Sequence, residues 1–124
     1  MQFDEFIDRV QERAGLHSRE DAEAITRAVL ETLGERLDRK VRNGVLAQLP
    51  GELKELVLMR AQESDEYNVE EFFNRVGARA DLTYQDATER TRQVLSVLGE
   101  AISDGEIQDI RESLPDEYDA LLGA

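Results

Sequence analysis

The feature that most restricts this chain is an internal repetition. Residues 4–16 read DEFIDRVQERAGL and residues 70–82 read EEFFNRVGARADL, an offset of 66. One residue is lost near His17, the offset becomes 65, and Ser18–Leu58 then aligns without a gap against Thr83–Gly123. Of those 41 positions 13 are identical, including Asp21/Asp86, Thr26/Thr91, Leu33/Leu98, Gly34/Gly99, Glu35/Glu100 and Leu49/Leu114. The chain's two prolines, Pro50 and Pro115, share one place in the repeat. Two copies of one pattern should form the same elements in the same order. A unit of roughly 60 residues is marginal by itself, so the copies are expected to close around a shared core.

Each copy reads as four helical segments. Phe3–Ala14 spaces Phe3, Phe6, Ile7, Val10 and Ala14 along one helical face, and Val69–Ala80 does the same with Val69, Phe72, Phe73, Val76 and Ala80. Asn68, with Glu71 three residues on, has the form of a capping box. The second segment starts at Ser18 or Thr83, whose side-chain oxygens can accept from N–H groups the helix leaves unpaired. It carries Ala22, Ile25, Val29, Leu30, Leu33 and Leu37 in one copy, and Ala87, Val94, Leu95, Leu98 and Ile102 in the other. Gly34 and Gly99 lie inside it at a cost of about 1 kcal/mol each relative to alanine, which points to close backbone approach or a helix break. A third segment covers 38–49 and 103–114, and a short fourth opens at the proline, whose missing N–H would be unpaired there anyway. Nothing alternates at period two for long enough to make a strand. The polar stretch 62–67 joins repeats of roughly 2–61 and 68–124 and is too short to let them separate. The expected fold is all-α: a compact helical bundle of about six to eight helices, one domain over residues 1–124, built from two tandem repeats with pseudo-two-fold symmetry.

Composition removes whole classes of chemistry. Without cysteine there are no disulfides, thiolate metal sites or thiol nucleophiles, and the single histidine, His17, cannot build a His-pair metal site or a Glu-x-x-His di-iron set. No run of 18 apolar residues spans a membrane, and Asp4, Glu5 and Asp8 do not suit a secretory signal, so a cytoplasmic location is expected. The net charge is −13, from 28 acids and 15 bases, and only Lys40 and Lys54 among the bases are lysine. Acid-rich, lysine-poor, cysteine-free chains suit molar salt, where carboxylates hold water and screening removes self-repulsion. A GC-rich genome with arginine codons is the alternative source. The charge is lopsided: residues 1–62 hold 12 acids and 10 bases, residues 63–124 hold 16 and 5.

Few residues suggest a site. His17 reads as a surface-loop residue with no catalytic partner nearby. Asp104–Ile107 resembles part of a calcium loop, but Gly105 at position 6 of that template puts Ile102 and Arg111 at ligand positions. A helix start, with Ser103 as cap and Glu106 as its partner, suits the stretch better. Carboxylate pairs such as Glu20-Asp21, Glu70-Glu71 and Asp116-Glu117 read as solvated helix faces. No catalytic, cofactor-binding or metal-ligating residue is assigned. The dense basic group Arg36, Arg39, Lys40 and Arg42 is the candidate contact patch, for an acidic partner or a phosphate. Its counterpart is Ala101, Asp104, Gly105 and Ile107 among acids, so one tip is basic and its mate acidic. Such tips suit a heterologous contact between copies of the chain, with Val41, Val45 or Leu46 supplying apolar area. The plainer reading is bases near a helix C-terminus, where the dipole favours them.

The sequence FxxRV, then a long AVLxxLG-type helix, then xxLP, present twice, resembles the prokaryotic domain of unknown function 2267. Phe6, Arg9, Val10, Ala28-Val29-Leu30, Leu33-Gly34 and Gln48-Leu49-Pro50 carry the resemblance in the first copy; Phe72, Arg75, Val76, Val94-Leu95, Leu98-Gly99 and Leu114-Pro115 carry it in the second. It spans nearly the whole chain, implies an all-α fold and brings no catalytic residues with it. Arg111-Glu112 stand where the first copy has Leu46-Ala47, so shallower packing is expected there. The expected function is a non-enzymatic protein-interaction or scaffold module of a salt-adapted prokaryote, with a protein partner or self-association. Nucleic-acid or nucleoid association through the basic tip is the alternative, and the overall acidity opposes it. An enzyme with an unrecognised carboxylate site would need a deep pocket holding convergent carboxylates. No membrane contact or small-molecule substrate is indicated.

Overall fold

The computed structural model describes residues 1–122, which form seven α-helices and two 3₁₀ segments with no strand among them. In order these are α1 (Phe3–Ala14), α2 (Arg19–Arg36), α3 (Arg39–Gln48), α4 (Gly51–Leu58), a 3₁₀ turn (Ala61–Glu63), α5 (Val69–Ala80), α6 (Tyr84–Ala101), α7 (Asp104–Ser113) and a 3₁₀ helix (Asp116–Leu122). Gly123, where the repeat alignment ends, and Ala124 lie outside the described residues. α1 and α5 have 12 residues each, α2 and α6 have 18, α3 and α7 have 10. The fourth elements differ, an α-helix of 8 residues in one half and a 3₁₀ helix of 7 in the other.

The helix starts follow from local chemistry. Ser18, Asp38, Asn68, Thr83 and Ser103 each accept from the backbone N–H three residues on, at 2.9–3.2 Å. At Asn68 only half of the capping box forms, because the Glu71 carboxylate turns to Arg75 Nε at 2.8 Å. α1 ends on Gly15 at φ 63°, and α5 on Asp81 at φ 57°, a left-handed conformation glycine adopts freely and aspartate does not.

The core is one cluster drawn from both halves. Phe6, Ile7 and Val10 of α1, Val29, Leu30 and Leu33 of α2, Phe72 and Val76 of α5, and Val94 and Leu98 of α6 all belong to it. α2 and α6 touch each other, and each also packs on both α1 and α5. α4 lies against the C-terminal part of α2, where a Cβ on Gly34 would collide with the Val57 carbonyl oxygen. Gly34 is therefore a site of close backbone approach. Gly99 is not, since the nearest atom to a Cβ there is Ile107 Cδ1 at 3.8 Å.

Candidate functional site

The most ordered polar constellation joins α2 to α5. Glu35, in the last turn of α2, is 3% exposed. Its Oε1 accepts from Arg75 Nη1 at 3.0 Å and from the Tyr67 hydroxyl at 2.7 Å, and its Oε2 accepts from Arg79 Nη2 at 3.0 Å. Arg79 Nη1 donates to Thr32 Oγ1 at 2.8 Å, and Arg75 reaches Asp65 Oδ2 at 2.9 Å. Arg75 and Arg79 are one turn apart on α5, so both can close on one carboxylate. Burial alone would raise the Glu35 carboxyl, but hydrogen bonds from Arg79, Tyr67 and Arg75 outweigh it and hold it below the ordinary range. Burial and the adjacent carboxylate push the Tyr67 phenol up, so it stays a donor.

Residues 65–67 form the cover of this clamp. Asp65 N–H donates to the Glu35 carbonyl at 3.1 Å, and the Tyr67 ring lies beneath the Arg75 guanidinium at 4.0 Å. The Tyr67 carbonyl accepts from Arg36 Nε at 2.8 Å and the Tyr118 hydroxyl at 2.7 Å. The polar stretch between the halves is thus a docked segment with its tyrosine half-buried.

A second clamp joins α1 to α6. Arg9 Nη1 and Arg13 Nη2 bind the two oxygens of Glu100, each at 2.7 Å. Arg13 Nη1 donates to Ser96 Oγ at 3.0 Å, and Arg9 Nη2 pairs with Glu5 at 2.7 Å. Arg9, Arg13, Glu5 and Glu100 sit at the alignment positions of Arg75, Arg79, Glu71 and Glu35. Here the side chains are open to solvent, 42% for Arg9, 35% for Arg13 and 37% for Glu100, around a surface depression of about 400 Å³ that Glu12 also lines. Hydrogen bonds from Arg9 and Arg13 hold the Glu100 carboxyl below its ordinary range.

The expected basic patch does not assemble on the surface. Arg36 is 8% exposed, with its guanidinium near the Tyr67 and Tyr118 rings, and Arg42 is 9% exposed, with Nη1 donating to the Gly34 and Leu37 carbonyls at 3.1 Å. Only Arg39 and Lys40 face solvent. The chain breaks helical phase at Leu37-Asp38, so residues that look adjacent in sequence point in different directions. The acidic tip meets the basic one within the same molecule: α3 packs on α7, and Lys40 shares a surface depression with Glu106, Asp109 and Glu112. Gln48 joins the two helices, its Oε1 accepting from Ser103 N–H at 2.6 Å. Val45 is fully buried and offers nothing to a neighbour. His17 is exposed between α1 and α2, and Ser103 is the cap the sequence indicates. Among the described residues no group of three or more His, Cys, Asp or Glu is placed to hold a metal ion, and no helix is long and apolar enough to cross a membrane.

The two clamps were not foreseen as sites, though their parts were in view. Arg9 and Arg75 lie inside the FxxRV pattern, and Glu35/Glu100 is one of the repeated identities. Two arginines one turn apart, repeated in both halves along with a glutamate on the long helix, were the usable signal. Comparison with known families matches residues 3–121 to one described as "Uncharacterized conserved protein (DUF2267)". The chain belongs to this family. The matched span contains both clamps of this DUF2267 chain from Glu5 to Glu100, together with the covering segment. No curated protein matches the chain.

Proposed function

We propose that this DUF2267 chain is a non-enzymatic protein-interaction module, a single domain made of two tandem copies of one repeat about a pseudo-two-fold axis, working in the cytoplasm of a salt-adapted prokaryote. The observation that carries this reading is the open clamp. The same constellation that grips a chain segment between α2 and α5 is presented to solvent between α1 and α6. The chemistry favours binding over catalysis. A general acid works best with a pKa near the operating pH, and guanidinium pairing holds both Glu35 and Glu100 the other way. Nucleic-acid binding is disfavoured because Arg36 and Arg42 are spent inside the fold and Lys40 faces acids.

The test is cross-linking in the native cell at native salt, with wild type beside Arg9→Glu/Arg13→Glu. A partner held by wild type and lost by the double variant is expected, with both chains equally helical by circular dichroism. A wild-type chain that stays monomeric and uncross-linked would overturn the reading. For salt adaptation, melts across a KCl series should show a rising midpoint as the Debye length shrinks from about 10 Å to about 3 Å. A flat midpoint would remove it.

A further inference from the structure

We infer that the open clamp receives an acidic, extended peptide of Asp-x-Tyr chemistry from a partner protein, which rests on the interaction reading above. The closed clamp shows what this geometry holds. Asp65 offers its N–H to the Glu35 carbonyl and its carboxylate to Arg75, and two residues on Tyr67 lays its ring under the same guanidinium and its hydroxyl on Glu35. An extended chain puts alternate side chains on one face, so a single guest segment makes all these contacts without a turn.

The open clamp offers the matching groups. The Glu100 carbonyl lies in the last turn of α6 and accepts no hydrogen bond among the described residues. Arg9 uses Nη1 and Nη2 on Glu100 and Glu5, and its Nε has no partner among the described residues. Met1 aligns with Tyr67, and it packs partly buried against the core, a flexible side chain that can yield to an aromatic ring. Three differences set how firmly a guest is held. Ala101 replaces Arg36, so nothing grips the guest tyrosine carbonyl as Arg36 grips that of Tyr67. Val97 replaces Thr32, so the clamp is anchored through Ser96 instead. Glu12 stands at the rim where the other half has Ala78, and its charge opposes an acidic guest. The closed side is a permanent grip; the open side, with fewer bonds and one repulsive charge, is suited to a reversible one.

The probe is a synthetic peptide with the sequence of residues 61–69, added to the intact chain and followed by amide chemical shifts. The chain's own segment already fills the closed clamp, so the peptide reports on the open one. Saturable binding is expected, with shifts at Arg9, Arg13 and Glu100. Arg9→Ala, or a peptide carrying Asp65→Asn, should weaken it about tenfold, the scale of one lost charge-assisted hydrogen bond. Glu12→Gln should tighten it. Absence of saturation at about 1 mM peptide in both low and molar KCl would overturn the inference. So would shifts confined to Glu35 and Arg75, or binding indifferent to Arg9→Ala. If the peptide fails while cross-linking still finds a partner lost in Arg9→Glu/Arg13→Glu, the guest chemistry is wrong and the interaction module stands.

Discussion

Arg75–Arg79–Glu35 and Arg9–Arg13–Glu100 are the same three residue types on corresponding helices, closed by ion pairs of 3.0 and 2.7 Å respectively. The Glu35 side chain is 4% exposed and that of Glu100 37%. Neither helix spacing nor residue type accounts for the gap, because both are shared. What differs is the cover: Asp65 and Tyr67 dock on the first clamp. A tyrosine ring over one guanidinium takes the water away from one clamp and leaves the other to bulk screening. The first is an internal strut with buried charge, the second a surface feature of small energetic weight.

The comparison can be broken most severely by cutting the chain. α1 is clamped to α6 and α5 to α2, so each half lends its first helix to the long helix of the other. Residues 1–64 alone should lack cooperative melting and most of the helical signal of the full chain. A stable, fully helical fragment would show that the cross-clamping is ornamental.

The next test sets the two glutamates against each other. Glu35→Gln leaves two arginines facing a neutral partner in a buried site and should cost about 3 kcal/mol. Glu100→Gln should cost at most about 1 kcal/mol, since exposed pairs are screened. The pH response follows in sign. The folded state depresses the Glu35 carboxyl, so its contribution is complete above the ordinary carboxylate range and is lost as pH falls through the folded value. Wild type should lose stability below about pH 5, and Glu35→Gln should lose less over the same range. Equal costs for the two variants in denaturant titrations would dissolve the distinction between strut and surface pair.

Two smaller contrasts sharpen it. Gly34→Ala forces a methyl into the Val57 backbone and should destabilise by about 1–3 kcal/mol, whereas Gly99→Ala has room and should gain up to about 1 kcal/mol of helix propensity. Opposite signs in thermal melts are expected. At the ends of α1 and α5 the effect is smallest: Asp81→Gly should stabilise by a few tenths of a kcal/mol, about 0.5, and Gly15→Asp should destabilise by a similar amount.

Helix positions were legible because their causes are local. The start of α1 follows from apolar spacing alone, and those of α2, α5, α6 and α7 from a capping oxygen three residues before a free N–H. Arg36 and Arg42 misled because the break at Leu37-Asp38 resets helical phase, and no pattern of charge along the chain reports that. Tyr67 was hidden by its company, one aromatic among Ser64, Asp65, Glu66 and Asn68, which reads as a linker. The clamps were hidden by distance. Arg9 and Glu100 are 91 positions apart, and spacing rules reach only a few turns.

That separation also orders events during synthesis. α1 leaves the ribosome well before α6, which it grips. Until α6 emerges, Phe6, Ile7 and Val10 have α2 to lie against, and the face of α1 toward α6 waits uncovered. Contacts between positions so far apart in the chain close slowly, because a long loop must be organised first. A nascent chain paused at the covering segment would carry sticky helices and no finished core. Steady elongation from there to α6, or a chaperone that shields α1 meanwhile, is the condition under which this molecule reaches its native pairing rather than borrowing α5 and α6 from a neighbouring chain.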